Sequence, residues 1–329
     1  MESPAPGKQT SAGGKVSSHP CYSVVIPSLG TRDCLADVVQ AARAQTVPPW
    51  EIIVALPPST DPPLPPGVRV ARASSASSSA QRNAGVRAAR APIVFFFDDD
   101  MVPYADYAAQ VLRVWAHADA RVVGVVGSLA NPFHEGDRRR RLLRAIGWQS
   151  HTAYFGSATR IMASGSIAHV PRPRKDVEVG FASTSCGSFP RELLCGELFS
   201  EEFDGYVMGE DLDLSARLSR RGTLIQAANA LVVHRHGRST AGDRTAQTYH
   251  EAMPLGVYQW RHKANGLRGR VAWEWSHASR LLFLLALGLA GRDFTRYVAY
   301  RNGLRAARRY LGLRHLERSR LAGQRRTGA

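Results

Sequence analysis

Residues 92–100 read Pro-Ile-Val-Phe-Phe-Phe-Asp-Asp-Asp, and this change from apolar to acidic side chains decides the fold. An uninterrupted apolar run of this length is typical of a central parallel strand that is buried on both faces. In open α/β sheets, ligands bind beyond the carboxyl ends of the strands. The stretch therefore predicts a central strand that carries Asp98, Asp99 and Asp100 to a binding edge.

Strands and helices alternate around this stretch. We predict strands over 22–26, 51–55, 68–70, 121–129, 181–189 and 224–233, and helices over 33–45, 81–90, 104–118 and 211–221. The proline-rich residues 57–66 and the serine-rich residues 74–79 are expected to be loops. Alternation of this kind predicts an α/β protein with a mixed, mainly parallel sheet flanked by helices.

The chain divides into four expected parts. Residues 1–20 are rich in Gly, Ser and Pro and are expected to form a disordered tail. An α/β domain over 21–240 is followed by a helical C-terminal extension over 241–312 and a basic tail over 313–329. With no apolar leader and only four cysteines, none in C-x-x-C spacing, the sequence favours a cytoplasmic protein.

The chain is strongly basic, with 43 Lys and Arg residues against 27 Asp and Glu residues and a net charge of +16. A basic surface suits phosphorylated substrates, acidic glycans, anionic lipids or nucleic acid, and the charge alone does not choose among them. We expect no nucleic-acid partner, because the sequence contains no zinc-finger spacing, aromatic RNA-binding pattern or basic recognition helix. The sequence does not predict the oligomeric state.

The acid triplet at residues 98–100 is a candidate metal site. Three adjacent carboxylates repel one another unless a cation lies among them. Mg²⁺ and Mn²⁺ prefer such oxygen ligands and often bridge to substrate phosphates. The alternative is a solvated acidic turn or the capping run of a helix. The central-strand context favours the metal.

A second acidic cluster, Gly209-Glu-Asp-Leu-Asp213, opens a predicted helix. Capping explains any one of these acids, but three in four positions exceed what a cap requires. We predict that Asp211 is a general base that reaches a substrate hydroxyl. Glu210 is expected to orient that base or to bind hydroxyls, and Asp213 to be structural.

Two histidines, His234 and His236, follow the last predicted strand. Neutral imidazole is a good ligand for Mn²⁺-type ions, so we predict His234 as a third metal ligand, with His236 as second choice. A structural histidine is the alternative. Arg235 and Arg238 suit diphosphate oxygens, because an arginine fork matches phosphate geometry, although ordinary surface charge explains them equally.

Several motifs occur in a fixed order: Val24-Val-Ile-Pro27, Arg82-Asn-Ala-Gly85, Phe97-Asp-Asp-Asp100, Ser185-Cys-Gly-Ser-Phe-Pro-Arg191, Phe203-Asp204, Gly209-Glu-Asp-Leu-Asp213 and Val233-His234. Together they resemble glycosyltransferase family 2 over about residues 22–240. The resemblance implies the Rossmann-like GT-A fold. It also implies a nucleotide-diphosphate-sugar donor, a divalent Mn²⁺ or Mg²⁺ ion, and inversion at the anomeric carbon.

The resemblance also implies roles for individual residues. The expected donor-binding residues are Pro27, Ser28, Arg82, Asn83, Asp98, Asp99 and Arg238; the expected metal ligands are Asp98, Asp100 and His234; the expected catalytic pair is Asp211, as base, with Glu210. One departure concerns the loop after the second strand. The family usually has Asp-Asp-Gly-Ser there, whereas this chain has Leu-Pro-Pro-Ser over 56–59, so the nucleobase is not predicted.

The acceptor and the location stay open at this point. A polysaccharide or lipid-linked glycan is the first expectation, and a peptide or small natural product is the alternative. A non-catalytic protein that binds a nucleotide or glycan on the same fold is a further alternative. Tryptophans and arginines beside the apolar residues 281–289 suit a helix at the inner face of a membrane, and packing on the α/β domain is the competing interpretation.

Overall fold

The structure is a computed structural model that describes residues 21–130, 152–153, 158–201, 209–235, 262 and 266–309. Several expectations fall outside these residues: the tail 1–20, the boundaries at 240 and 312, the tail 313–329, Phe203-Asp204, His236 and Arg238.

The strands of the described chain are β1 (Tyr22–Pro27), β2 (Glu51–Leu56), β3 (Arg69–Arg72), β4 (Ile93–Phe96), β5 (Met101–Pro103), β6 (Val122–Leu129), β7 (Thr152–Ala153), β8 (Arg160–Ile161), β9 (Ile167–Ala168), β10 (Val177–Val179), β11 (Gly187–Pro190) and β12 (Thr223–His234). Nine of them form one sheet in the order β10-β12-β6-β11-β4-β1-β2-β3, with β5 paired to β12, and β7, β9 and β8 form a second, small sheet. Strands β4, β1, β2 and β3 are parallel neighbours, and β12 is parallel to β6, whereas β5, β10 and β11 are antiparallel to their neighbours. The predicted mixed, mainly parallel sheet is confirmed.

The helices are α1 (Leu35–Arg43), α2 (Ser78–Ala88), α3 (Tyr107–His117), α4 (Arg191–Gly196), α5 (Glu210–Leu218), α6 (Gly266–Gly291) and α7 (residues 295–309). Side chains of α1 and α3 fill one face of the sheet, and those of α2, α4 and α5 fill the other. Within β1, Val24 and Ile26 belong to the first core and Val25 to the second, and all three are fully buried. Because both faces are covered, the central strands need apolar residues at every position.

Two elements begin at residues other than those predicted. Helix α2 begins at Ser78, inside the predicted serine loop, because the Ser77 hydroxyl caps it by accepting a hydrogen bond from the Ala80 amide at 3.2 Å. The strand predicted over 181–189 is replaced by a 3₁₀ turn over Thr184–Cys186, and β11 begins only at Gly187. That turn directs the Thr184 amide to Asp211 instead of to a neighbouring strand.

The C-terminal helices pack on the α/β part of the chain, which was one of the two interpretations of residues 281–289. A buried cluster joins them to it: Phe181, Leu212, Trp273, Leu284, Tyr300 and Leu304. His277 on α6 lies 2.6 Å from the Tyr300 hydroxyl on α7, which ties the two helices together. Among the residues that the structure describes, no helix is both long enough and apolar enough to span a bilayer.

Candidate active site

A cavity of about 470 Å³ opens at the carboxyl ends of β1, β4 and β12. Its walls include nine of the predicted site residues: Pro27, Ser28, Arg82, Asp98, Asp99, Asp100, Glu210, Asp211 and His234. These residues come from five separate segments of the sequence. The strand ends and the start of α5 bring them together, at the edge where α/β sheets bind ligands.

The buried side chain of Arg82 connects the strand end to α5. Its Nη2 atom lies 2.7 Å from Asp98 Oδ1, and its Nη1 atom lies 2.7 Å from Glu210 Oε1. Ser78, one helical turn earlier on α2, also donates to Glu210 Oε1, at 2.8 Å. One guanidinium is therefore shared between the acid that follows β4 and the acid that opens α5.

The charges around Arg82 hold it protonated. Burial alone would lower its pKa, but the carboxylates of Asp98, Glu210 and Asp211 outweigh burial and raise the pKa above the ordinary arginine range. Burial raises the pKa of Asp98, and Arg82 opposes this effect. The network is thus a buried cation among three acids that compete for it.

The other two acids of the triplet share a second arginine. Arg32 Nε lies 3.2 Å from Asp99 Oδ1, and its Nη1 atom lies 2.9 Å from Asp100 Oδ2. The Ser28 hydroxyl donates to Asp99 Oδ2 at 2.6 Å. Burial raises the pKa of Asp99 to about 6, although Ser28 and Arg32 oppose the shift. Arg32 was not predicted as a site residue, although its position shortly after β1 in the sequence places it near the edge that holds the triplet.

The residues at this edge fit part of a metal-binding shell. His234 is paired with Met101 across β12 and β5, which brings its Nε2 atom to 3.4 Å from Asp100 Oδ2. Within the described ranges, no group of three or more His, Cys, Asp or Glu side chains is arranged to hold a metal. A carboxylate and an imidazole nevertheless suit Mg²⁺ or Mn²⁺, which usually take one or two carboxylates together with water and substrate phosphates.

Asp211 faces the same cavity at the first turn of α5. The Thr184 amide donates to its Oδ2 atom at 3.1 Å, and the Thr184 hydroxyl donates to its Oδ1 atom. Burial raises the pKa of Asp211 to about 7; Arg82 lowers it, and Glu210 raises it further. A carboxylate with a pKa near the working pH is suited to accept a proton in catalysis. Nothing in the sequence of the small-residue segment around Thr184 indicated that it contacts Asp211.

Three other polar residues lie away from the cavity. Asn83 is buried, and its amide exchanges hydrogen bonds of 2.9 Å with the main chain of Phe199, so it supports the wall without lining it. Asp213 lies 3.0 Å from Arg217 Nε and 3.1 Å from His262 Nε2, in keeping with a structural role. The exposed Asp61, an acid in the proline-rich loop, pairs with Arg72 on β3.

The comparisons with known proteins identify the class of protein. The model of the family described as "Glycosyltransferase like family 2" matches residues 19–251. This match covers well over half of the sequence, so the chain belongs to this family and is a glycosyltransferase with the GT-A fold.

Solved structures add one named neighbour. Among 219 matching chains is "Crystal structure of S. aureus TarS 1-349", with 13% identity, a TM-score of 0.44, and coverage of 88% of this chain and 91% of that one. That similarity is too low to say more about this chain. The comparison with curated proteins finds no match.

Proposed function

We propose that the protein transfers a sugar from a nucleotide-diphosphate-sugar donor to a hydroxyl of a glycan or lipid-linked acceptor, with inversion at the anomeric carbon. One observation carries this proposal: the acid triplet after β4 and Asp211 at the start of α5 line the same cavity. A single displacement needs a donor site and a base that approach the reacting carbon from opposite sides, and two acidic clusters from separate elements that line one cavity are suited to these two roles.

The donor would occupy the side of the cavity formed by the ends of β1 and β4. Pro27 and Ser28 lie at the end of β1, and Asp98 and Asp99 directly follow β4. The carboxylates suit the ribose hydroxyls, and Arg82 fixes the orientation of Asp98. Arg238, which lies outside the described residues, stays a proposed diphosphate contact.

Asp100 and His234 would hold the divalent cation, with Asp98 as the neighbouring carboxylate. Mn²⁺ or Mg²⁺, when bound there, supplies positive charge that offsets the charge of the leaving diphosphate. The basic side chain of Arg32 already contacts Asp99 and Asp100, so this chain itself contributes a cation at the same edge.

On the acceptor side, Asp211 would take the proton of the attacking hydroxyl. The hydroxyl oxygen forms the new bond to the anomeric carbon while the bond from that carbon to the diphosphate oxygen breaks. Thr184 holds the carboxylate in place, and Glu210, anchored by Ser78 and Arg82, orients the base. No covalent sugar–enzyme intermediate is required, and inversion follows from one displacement.

A thermal-shift panel of nucleotide sugars with each common nucleobase, run with and without MnCl₂, tests the proposal. A ligand at about 100 times its Kd stabilises a protein by about 2.7 kcal/mol, which is a shift of several degrees. We expect one donor class to raise Tm, with a further increase when Mn²⁺ is added. Asp100→Asn should remove that increase and keep the metal-free shift.

Two results oppose the proposal in different ways. If none of the nucleotide sugars changes Tm, the donor assignment is wrong. If a donor binds and Mn²⁺ is present, yet neither hydrolysis nor transfer of its sugar is detected with glycan and lipid-linked acceptors, the chain is a binding protein on this fold. The same assays with peptide acceptors test the alternative substrate.

A further inference from the structure

We propose that the outer face of α6 docks the protein onto a bilayer surface that carries anionic lipid. Five large apolar side chains form this face, which we call the α6 stripe: Leu267, Val271, Trp275, Leu282 and Leu289. Their exposed fractions lie between 57% and 78%. Spacings of four and seven residues place them on one side of the helix. The stripe is about 33 Å long, since an α-helix rises about 1.5 Å per residue.

The opposite side of α6 is the one that the protein buries. Trp273 and Leu284 belong to the core cluster with Phe181 and Leu212, and Gly288 is also buried. The helix is therefore anchored through one face while a continuous apolar row faces outward. Single exposed apolar residues are ordinary, but a contiguous row of this length indicates an interaction surface.

The positive charge around the α6 stripe favours an anionic partner. Residues 266–309 contain nine arginines and only two acidic residues, Glu274 and Asp293. Arg268, Arg270 and Arg292 are exposed on or next to α6. A tryptophan within an apolar row, flanked by arginines, is the pattern of a helix that lies in the plane of an anionic interface.

Two other occupants fit less well. A second copy of this chain would bring two arginine-rich helices together, on a protein whose net charge is +16. Residues 310–329 add five arginines and one glutamate, so they would also bring like charge to the stripe. A crossing of the bilayer does not fit, because α6 buries one face in protein and no helix of the described chain qualifies as a span.

Docking through this face would bring the cavity close to the lipid surface. Phe181 and Leu212 pack with α6 on one side and line the cavity on the other. A lipid-linked acceptor could then reach the base while its lipid stays in the bilayer. The docking inference itself does not rest on the proposed reaction, since it concerns a surface outside the cavity.

Vesicle flotation tests the inference with the full-length protein. We expect co-flotation with vesicles of phosphatidylcholine and phosphatidylglycerol, and little with phosphatidylcholine alone. Trp275→Glu should lower the partition coefficient roughly tenfold or more, because it places a negative charge within the stripe. Trp50→Glu is the matched control, since Trp50 is 68% exposed and Trp275 is 66% exposed, and it should bind like wild type.

Fluorescence locates the contact on the helix. Bromine-labelled acyl chains should quench part of the tryptophan emission, and Trp275→Phe should remove the quenched part while the protein still binds the vesicles.

The inference is overturned if the wild-type protein does not bind anionic vesicles, or if the Trp275→Glu and Trp50→Glu variants bind them equally well. It is also overturned if sedimentation shows a dimer that Trp275→Glu dissociates and no vesicle binding occurs. A loss of transfer activity with intact vesicle binding would count against the proposed reaction alone.

Discussion

Replacing Asp211 with asparagine should abolish most turnover and, at the same time, stabilise the protein in a pH-dependent way. The amide keeps the size of the carboxylate and accepts from Thr184, but it does not take up a proton at neutral pH. Loss of a general base costs about 10²–10⁴-fold in rate. Donor binding should persist, because the proposed donor contacts lie on the β1 and β4 side of the cavity.

The stability effect follows from the pKa of Asp211. Burial raises it from 3.8 to about 7, so the folded state holds the proton more tightly than the unfolded chain does. The unfolded chain therefore ionises first as pH rises, and stability falls between about pH 4 and pH 7. A shift of three pKa units limits the resulting change in the free energy of unfolding to about 4 kcal/mol. Because the side chain of Asp211 is only half-buried, we expect the loss of stability to be smaller, about 1–3 kcal/mol.

Urea unfolding at pH 4 and pH 8, combined with a transfer assay at pH 8, measures both effects. Asp211→Asn should be more stable than wild type at pH 8 and nearly equal to it at pH 4, with turnover lost. The exposed Asp33→Asn serves as control and should change neither quantity. Retained turnover would remove Asp211 from the base role. An equal stability difference at both pH values would refute the burial argument.

Three further predictions concern the metal, the buried arginine and the sheet. His234→Ala should weaken Mn²⁺ binding to the nucleotide-loaded protein at least tenfold by calorimetry, and an unchanged affinity would exclude His234 as a ligand. Arg82→Met should cost about 3–5 kcal/mol in urea unfolding, because it leaves two carboxylates without their shared cation; a cost below 1 kcal/mol would contradict this. Gly85→Ala should cost about 1–3 kcal/mol, since its Cβ would lie 2.2 Å from Val25 Cγ1, whereas Gly196→Ala meets nothing within 4 Å and should stay within about 0.5 kcal/mol in the same experiment.

The central sheet was predictable because its strands are buried on both faces. Apolar runs such as Ile93–Phe96 and Tyr22–Pro27 leave little choice of structure, and parallel order then places their carboxyl ends together. The acids after these strands could therefore be assigned to one edge without coordinates. Helix starts were less accurate, because a capping serine such as Ser77 looks like a loop residue in a serine-rich run.

Other parts of the site depend on long-range contacts that no local pattern records. Strand β5 has three residues and is defined by its pairing with β12, which also sets the distance between His234 and Asp100. Thr184 holds Asp211 across 27 positions of the sequence, and Arg32 reaches the triplet from the loop after β1. The acids that line the cavity could be listed from the sequence, whereas the partners that restrain them are visible only in the fold.

The sharing of Arg82 restricts how this protein can evolve. Loss of the carboxylate at Asp98 would leave positive charge of the guanidinium unmatched on the β4 side, and loss of the carboxylate at Glu210 would leave it unmatched on the α5 side. Neither half of the cavity can be remodelled independently, so under the proposed assignment a change of donor would disturb the acceptor side as well. We expect these three positions to be replaced jointly in any descendant that keeps its activity.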